Sequence, residues 1–150
     1  MTSASGKARM NRASATRALA RKLALQALYR WQLNPCEWQD LQAEFLATEE
    51  GPRADREYFQ VLLQSICTDI ASLDEAITGW ADRPSGELDP IERAALLIGV
   101  QELRSQLEVP YRVAISEAVS LARRFGATDG HKFVNAVLDR AARSLRPLET

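Results

Sequence analysis

ATRALARKLALQALYRWQL, residues Ala15 to Leu33, reads as one amphipathic helix. Ala20, Leu23, Ala24, Ala27, Leu28 and Trp31 recur at i, i+3, i+4, i+7, i+8 and i+11, the spacing that lines one face of a helix. Arg17 and Arg21 fall on another face, so the segment is predicted to be core on one side and basic surface on the other. Seven Lys or Arg residues and no acid precede Glu37, whereas the remaining 114 residues hold 12 basic and 20 acidic groups. Charge is thus polarised along a chain whose formal net charge is only −1. That balance excludes a general nucleic-acid coat protein and confines any polyanion contact to a patch.

Before this helix, residues 1–14 are small, polar and basic with nothing to bury, and are expected to form a flexible basic arm. Such a run is either a solvated tail or a polyanion-binding one. After it, Asn34-Pro35 ends the pattern, and Trp38, Leu41 and Phe45 give a short second helix before the Gly51-Pro52 loop. Phe59, Leu62, Leu63, Ile66, Ile70, Leu73 and Ile77 keep to one stripe, predicting a core helix with a break near Ser72, where Ser72 and Glu75 have capping-box spacing. From Gly79 to Leu88 the apolar pattern lapses, and Pro84 and Gly86 point to a connection. Trp80 is stranded in it, either covering the end of a bundle or offering a stacking platform.

Asp89-Pro90-Ile91-Glu92 is a helix start, with an N-cap acid, proline at the first helical position and an acid at the capping-box position. The helix that follows is apolar nearly all round, as a central bundle helix would be. Pro110 separates it from a sixth helix carrying Ala114, Ala118, Leu121 and Phe125 on one face, with Gly126 placed to cap its end. Asp129 is the expected N-cap of a last helix whose buried stripe is Phe133, Val134, Val137, Leu138, Ala141 and Leu145. Arg140, Arg143 and Arg146 near its end suit the helix dipole. No stretch shows the alternation of a strand, so the predicted fold class is all-α.

A chain of 150 residues fits one domain, here predicted over residues 15–150. At 46% hydrophobic and 26% charged residues it has the composition of a soluble globular protein. Cys36 and Cys67 lack metal-site spacing and are read as reduced thiols. The longest apolar run, Ala94 to Val100, is far short of the roughly 20 residues of a membrane span, and the basic N-terminus lacks the apolar core of a signal peptide. A cytoplasmic location is expected.

One histidine, His131, and no Gly-rich phosphate loop or nucleophile motif leave an enzyme reading nothing to hold, so no catalytic activity, metal or cofactor is expected. A nucleic-acid reading does better. A basic arm and helix neutralise phosphates, and aromatic side chains stack on unpaired bases. Tyr29 lies two turns beyond Arg21, and Lys132-Phe133 pairs a cation with an aromatic, although Phe133 also fits the core stripe.

The motifs Arg21-Lys-Leu-Ala-Leu-Gln-Ala-Leu-Tyr29-Arg-Trp31, Glu92-Arg-Ala, Pro110-Tyr-Arg-Val-Ala-Ile-Ser-Glu-Ala118, Phe125-Gly and His131-Lys-Phe-Val-Asn-Ala-Val-Leu-Asp139 occur in this order over about residues 15–142. Together they resemble the NusB family of transcription antitermination factors. The resemblance implies about seven helices in two small bundles and no catalysis. It also implies binding of boxA-type single-stranded RNA from ribosomal-RNA leaders, jointly with ribosomal protein S ten (NusE), within an assembly of other Nus factors and RNA polymerase. Carried over, the RNA-binding residues are Arg17, Arg21, Tyr29, Trp80, Asp129, Lys132 and Phe133, and Glu92 faces the protein partner. The family's arginine cluster is interrupted here by Ala18 and Leu19, and the more distal Lys7, Arg9 and Arg12 compensate. Ala136 stands where the family usually has glycine, which bears on the packing of the last helix.

Two other readings stay open at this point. One is the RNA-binding domain of a ribosomal-RNA cytosine methyltransferase, which would need a cofactor-binding domain that the chain, ending at Thr150, has no room for. The other is a helical assembly scaffold whose N-terminal charges only aid solubility. Asp129 joins two expectations, since a capping acid near RNA also repels phosphate.

Overall fold

Helix-forming residues dominate the N-terminal segment even where no apolar stripe exists. The computed structural model describes residues 4–150, and within them the first helix, α1 (Ala4–Leu33), begins eleven residues before the expected start at Ala15. Residues 4–14, expected as a flexible arm, continue it as helix. Ala4, Lys7, Ala8, Arg9, Met10, Arg12 and Ala13 are good helix formers, and propensity without amphipathicity left no periodic signal to read. The predicted apolar face of α1 is buried from Ala20 to Leu28, and Leu25 is buried with it.

Six more helices follow among the described residues: α2 (Trp38–Leu46), α3 (Arg56–Thr68), α4 (Ile70–Ala81), α5 (Pro90–Ser105), α6 (Tyr111–Phe125) and α7 (Gly130–Leu145). Short 3-10 turns occupy Gly51–Arg53 and Ser85–Glu87, and the described residues contain no strand. The all-α expectation with seven helices holds. Contacts divide the chain into two compact units, Met1–Gln64 and Ser65–Thr150.

In the first unit α1 packs on α2 and on the Gly51–Arg53 turn. In the second, α5, α6 and α7 pack on one another, and α4 packs on α5 and α7. The predicted break in the Phe59–Ile77 stripe falls at Asp69 rather than at Ser72. Ser72 is no cap: its hydroxyl accepts from Arg104 Nη1 at 3.1 Å, and the same guanidinium donates to Asp69 at 3.0 Å. A tertiary partner has taken the group that local spacing assigned to a helix start. The expected connection from Gly79 also begins later, since α4 runs through Trp80 to Ala81 and ends where Asp82 turns left-handed at φ 58°.

The expected start of α5 is present. Asp89 Oδ1 accepts from the backbone N–H of Ile91 at 2.9 Å and of Glu92 at 3.1 Å. Ten consecutive residues of this helix, Ala94 to Leu103, are buried. Gly99 lies where α5 meets its neighbours, for a Cβ there would stand 2.8 Å from Leu138 Cδ1 and 3.3 Å from Ala118 Cβ. Gly126 does cap α6, its N–H donating to Ala122 O at 2.8 Å, but in an extended rather than a left-handed conformation.

A helix buried along its length must also satisfy the carbonyls of its last turn. Arg146 does this for α5. Its guanidinium, in a residue only 4% exposed, donates to the carbonyl oxygens of Leu103 at 2.9 Å, Glu102 at 3.0 Å, Gln106 at 3.1 Å and Val109 at 2.8 Å. Expected merely to suit the dipole of its own helix, Arg146 instead caps another. Replacing it with alanine removes the side-chain donor of the Leu103 and Val109 carbonyls and leaves those of Glu102 and Gln106 only their backbone N–H partners, Gln106 and Val109. We expect Arg146→Ala to cost about 3–5 kcal/mol in urea unfolding. Arg146→Lys, which lacks the planar fork, should recover only part of that loss. An unchanged midpoint for both variants would refute the capping role.

Candidate nucleic-acid interface

Each unit is taken by itself. In the first, Asp55 starts α3, its Oδ1 accepting from the Tyr58 N–H at 3.0 Å. The Asp55 N–H donates to the Thr16 carbonyl of α1 at 3.0 Å. This tie sets the Tyr58 ring beside α1, where the Arg17 guanidinium carbon lies 4.1 Å from its centroid and that of Arg21 5.6 Å. Cations over aromatic faces are attracted by the ring quadrupole. Arg21 is only 3% exposed, a correction to its expected place on a basic surface: α3 brings an aromatic ring over it. Arg17 keeps partial exposure, Arg9 and Arg12 are exposed, and Tyr29 shows 39% of its surface. Lys22 and Arg30 are held locally, by Glu50 at 2.8 Å and Glu44 at 2.9 Å. The side chain of Lys7 lies outside the described residues.

In the second unit the turn after α4 does the positioning. Ser85 donates its N–H to Thr78 Oγ1 at 3.0 Å and its hydroxyl to Asp74 at 2.6 Å, and Arg93 Nε also donates to Asp74 at 3.1 Å. These bonds pin the turn that carries Arg83, whose guanidinium carbon lies 4.5 Å from the Phe133 ring centroid. Phe133 is half-exposed rather than buried with the stripe of α7. Lys132, beside it, is exposed and pairs with Asp129 at 3.1 Å. Trp80 is half-buried, and its carbonyl accepts from Arg140 Nη1 at 2.7 Å. Trp80, Lys132 and Phe133 were read from the sequence. Arg83 and Arg140 were not, because their partners lie 50 and 60 residues away and no local pattern encodes them.

Asp129 occupies the N-cap position of α7 but does not cap with its side chain; it is left-handed at φ 70° and its carboxylate turns to Lys132 instead. A left-handed backbone aims the carboxylate away from the first-turn amides. Ala136 is exposed on α7, outside the buried stripe of that helix. Glu92 is half-buried against the start of α7, where a Cβ on Gly130 would lie 3.1 Å from its Oε2. Burial raises its pKa, the nearby Asp89 raises it further, and Arg83 works in the opposite direction.

Among the described residues no group of His, Cys, Asp and Glu side chains could hold a metal, and no helix is long and apolar enough to cross a membrane. What the site offers is cations, aromatic rings and hydrogen-bond donors. The sequence pattern of the NusB family matches residues 18–143. The chain belongs to the NusB family. Membership makes it a transcription antitermination factor, a role without catalytic chemistry. The NusB transcription antitermination protein of Colwellia psychrerythraea is 47% identical over 130 residues, 87% of this chain and 94% of that one. That of Idiomarina loihiensis is 47% identical over 133 residues, 89% and 96% of the two chains. Among solved structures, T. maritima NusB superposes with a TM-score of 0.78 at 26% identity, over 89% of this chain and 94% of that one. A NusB structure described as a complex of the antitermination factors NusB and NusE with dsRNA gives a TM-score of 0.72 at 26% identity, over 85% and 96%. Arg9, Arg12 and Arg17 precede the stretch matched by the family pattern, whereas Tyr29, Trp80, Glu92 and the Asp129–Phe133 turn lie inside it.

The raised pKa of Glu92 fixes a sign for pH dependence. A carboxyl whose pKa is higher in the folded state favours folding when protonated, and that contribution is lost as pH rises through the folded pKa. Glu92→Gln should therefore raise the melting temperature at neutral pH, with the gain vanishing below about pH 4, where both forms are neutral. A gain that persisted at low pH would refute the electrostatic cause.

Proposed function

We propose that this NusB-family protein binds boxA-type single-stranded RNA of ribosomal-RNA leaders together with NusE, using one patch on each unit. The observation that carries the reading is the half-exposed Phe133 ring with the Arg83 guanidinium over it and the exposed Lys132 next to it in sequence, a cation and aromatic cluster in a chain of net charge −1. Such a cluster stacks an unpaired base and neutralises its phosphates. Arg9, Arg12, Arg17 and Tyr29 supply the patch of the first unit, with the buried Arg21 against the same Tyr58 ring that Arg17 covers. Trp80 and Arg140 border the patch of the second, and Asp129 restrains Lys132. Glu92, desolvated without being fully buried, faces NusE. The structural relative solved as a complex of NusB and NusE with dsRNA supports an RNA and a NusE partner; the preference for unpaired bases rests on the exposed aromatic rings. The complex works in the cytoplasm alongside other Nus factors and RNA polymerase. It is a binding role, and the similar relatives are themselves transcription antitermination proteins.

Titration of boxA RNA against the chain alone and with NusE tests the reading, with tighter binding expected in the mixture and equal binding counting against joint recognition. If about four phosphates are contacted, log affinity should fall with log salt at a slope near about −3, while a flat response favours the scaffold. Asp129→Asn keeps a residue that tolerates the left-handed backbone and releases Lys132. It should strengthen RNA binding about two- to fivefold in filter binding with little change in melting temperature; equal or weaker affinity would refute the restraint.

A further inference from the structure

Beyond the Phe133 cluster, α6 and α7 enclose a shallow groove of about 460 Å³ that the proposed function leaves unused. Arg112, Ser116, Ser120 and Arg123 line it from α6, and Asn135 lines it from α7. The four α6 residues fall at i, i+4, i+8 and i+11, so they form one straight row on the helix, a hydrogen-bond donor at about every 6 Å and a guanidinium at each end. All four are exposed, and no carboxylate lines the groove. Ile115 and Val119 make an apolar floor. The Arg112 Nε donates to the Tyr111 hydroxyl at 3.0 Å, which restrains the guanidinium at one end of the row.

Two features decide what such a row takes. Hydroxyls, guanidinia and an amide with no acid among them suit a chain of anionic oxygens rather than a mixed peptide. Asn135, on the α7 wall of the groove, also follows Lys132 by one turn, so the groove begins one helical turn from that exposed cation. We infer that the groove carries the sugar-phosphate backbone of the RNA strand as it runs beyond the segment held at Lys132 and Phe133. This rests on the RNA reading above and adds a second, sequence-independent contact to it. From Arg112 to Arg123 the row spans about 16 Å, the length of about five stacked nucleotides of one strand.

The test compares a boxA RNA with the same RNA extended by about six uridines at each end, enough to fill the row. Both are titrated by fluorescence anisotropy against the full chain with NusE. Wild type should bind the extended RNA more tightly, with a salt slope steeper by about 1.4 for two further phosphates. The double variant Arg112→Ala, Arg123→Ala should lose about tenfold in affinity for the extended RNA at low salt, lose the extra slope and bind the short RNA unchanged. Ser120→Glu, which places an acid in the row, should reproduce this selective loss. Equal affinity of wild type for the two RNAs, or variants that weaken both alike or neither, would overturn the inference. So would a double variant that loses NusE while RNA slopes stay the same, which would assign the groove to the protein partner. Failure of wild type to bind either RNA would instead remove the boxA reading itself.

Discussion

Four backbone carbonyls and one guanidinium hold the second unit to a single arrangement. Burying α5 from Ala94 to Leu103 removes water from the end of that helix, and unpaired carbonyls there would each carry a desolvation penalty. Arg146 answers from the far end of α7, so the two helices cannot shift in register without breaking several charge-assisted hydrogen bonds together. Lysine, with a single rotatable ammonium, cannot match a fan of acceptors that a planar fork reaches at once. The helix that follows Asp129 and displays Lys132 and Phe133 is thereby fixed at its other end, and the proposed RNA-binding surface inherits that rigidity.

The N-terminal charge has a less uniform fate than its sign suggests. Lys22 and Arg30 are spent on acids of their own unit, and Arg21 is buried with the Tyr58 ring. Among the described side chains of the cations before Glu37, the exposed ones lie towards the start of α1, at Arg9 and Arg12, with Arg17 at the edge. A helix that begins at Ala4 presents these on a stiff rod, where a flexible arm would have lost conformational freedom on binding.

Features with local causes were legible in the sequence. The Asp89 cap, the buried stripe of α1, the enclosed character of α5 and the boundaries at Pro35 and Pro110 each follow from residues within a few positions of one another. Features with distant causes were not. Ser72 and Glu75 carry the spacing of a cap, yet Arg104 engages Ser72 across 32 residues. Arg83 meets Phe133, and Arg146 meets α5, through contacts that only the assembled helices create. Asp129 shows a third case: position was readable, but the left-handed backbone that redirects its carboxylate was not. The family motifs located the candidate surface residues, while burial decided that Arg21 supports that surface from beneath.

Gly99 has a consequence for how such a sequence can change. The space a methyl group would need there is occupied by Leu138, itself fully buried, and by Ala118. Three helices therefore share one fixed volume, and a gain at position 99 has to be met by a loss at 138 or 118. In the accounting of sequence drift these positions behave as one variable with three letters, free to move together and held when tried singly.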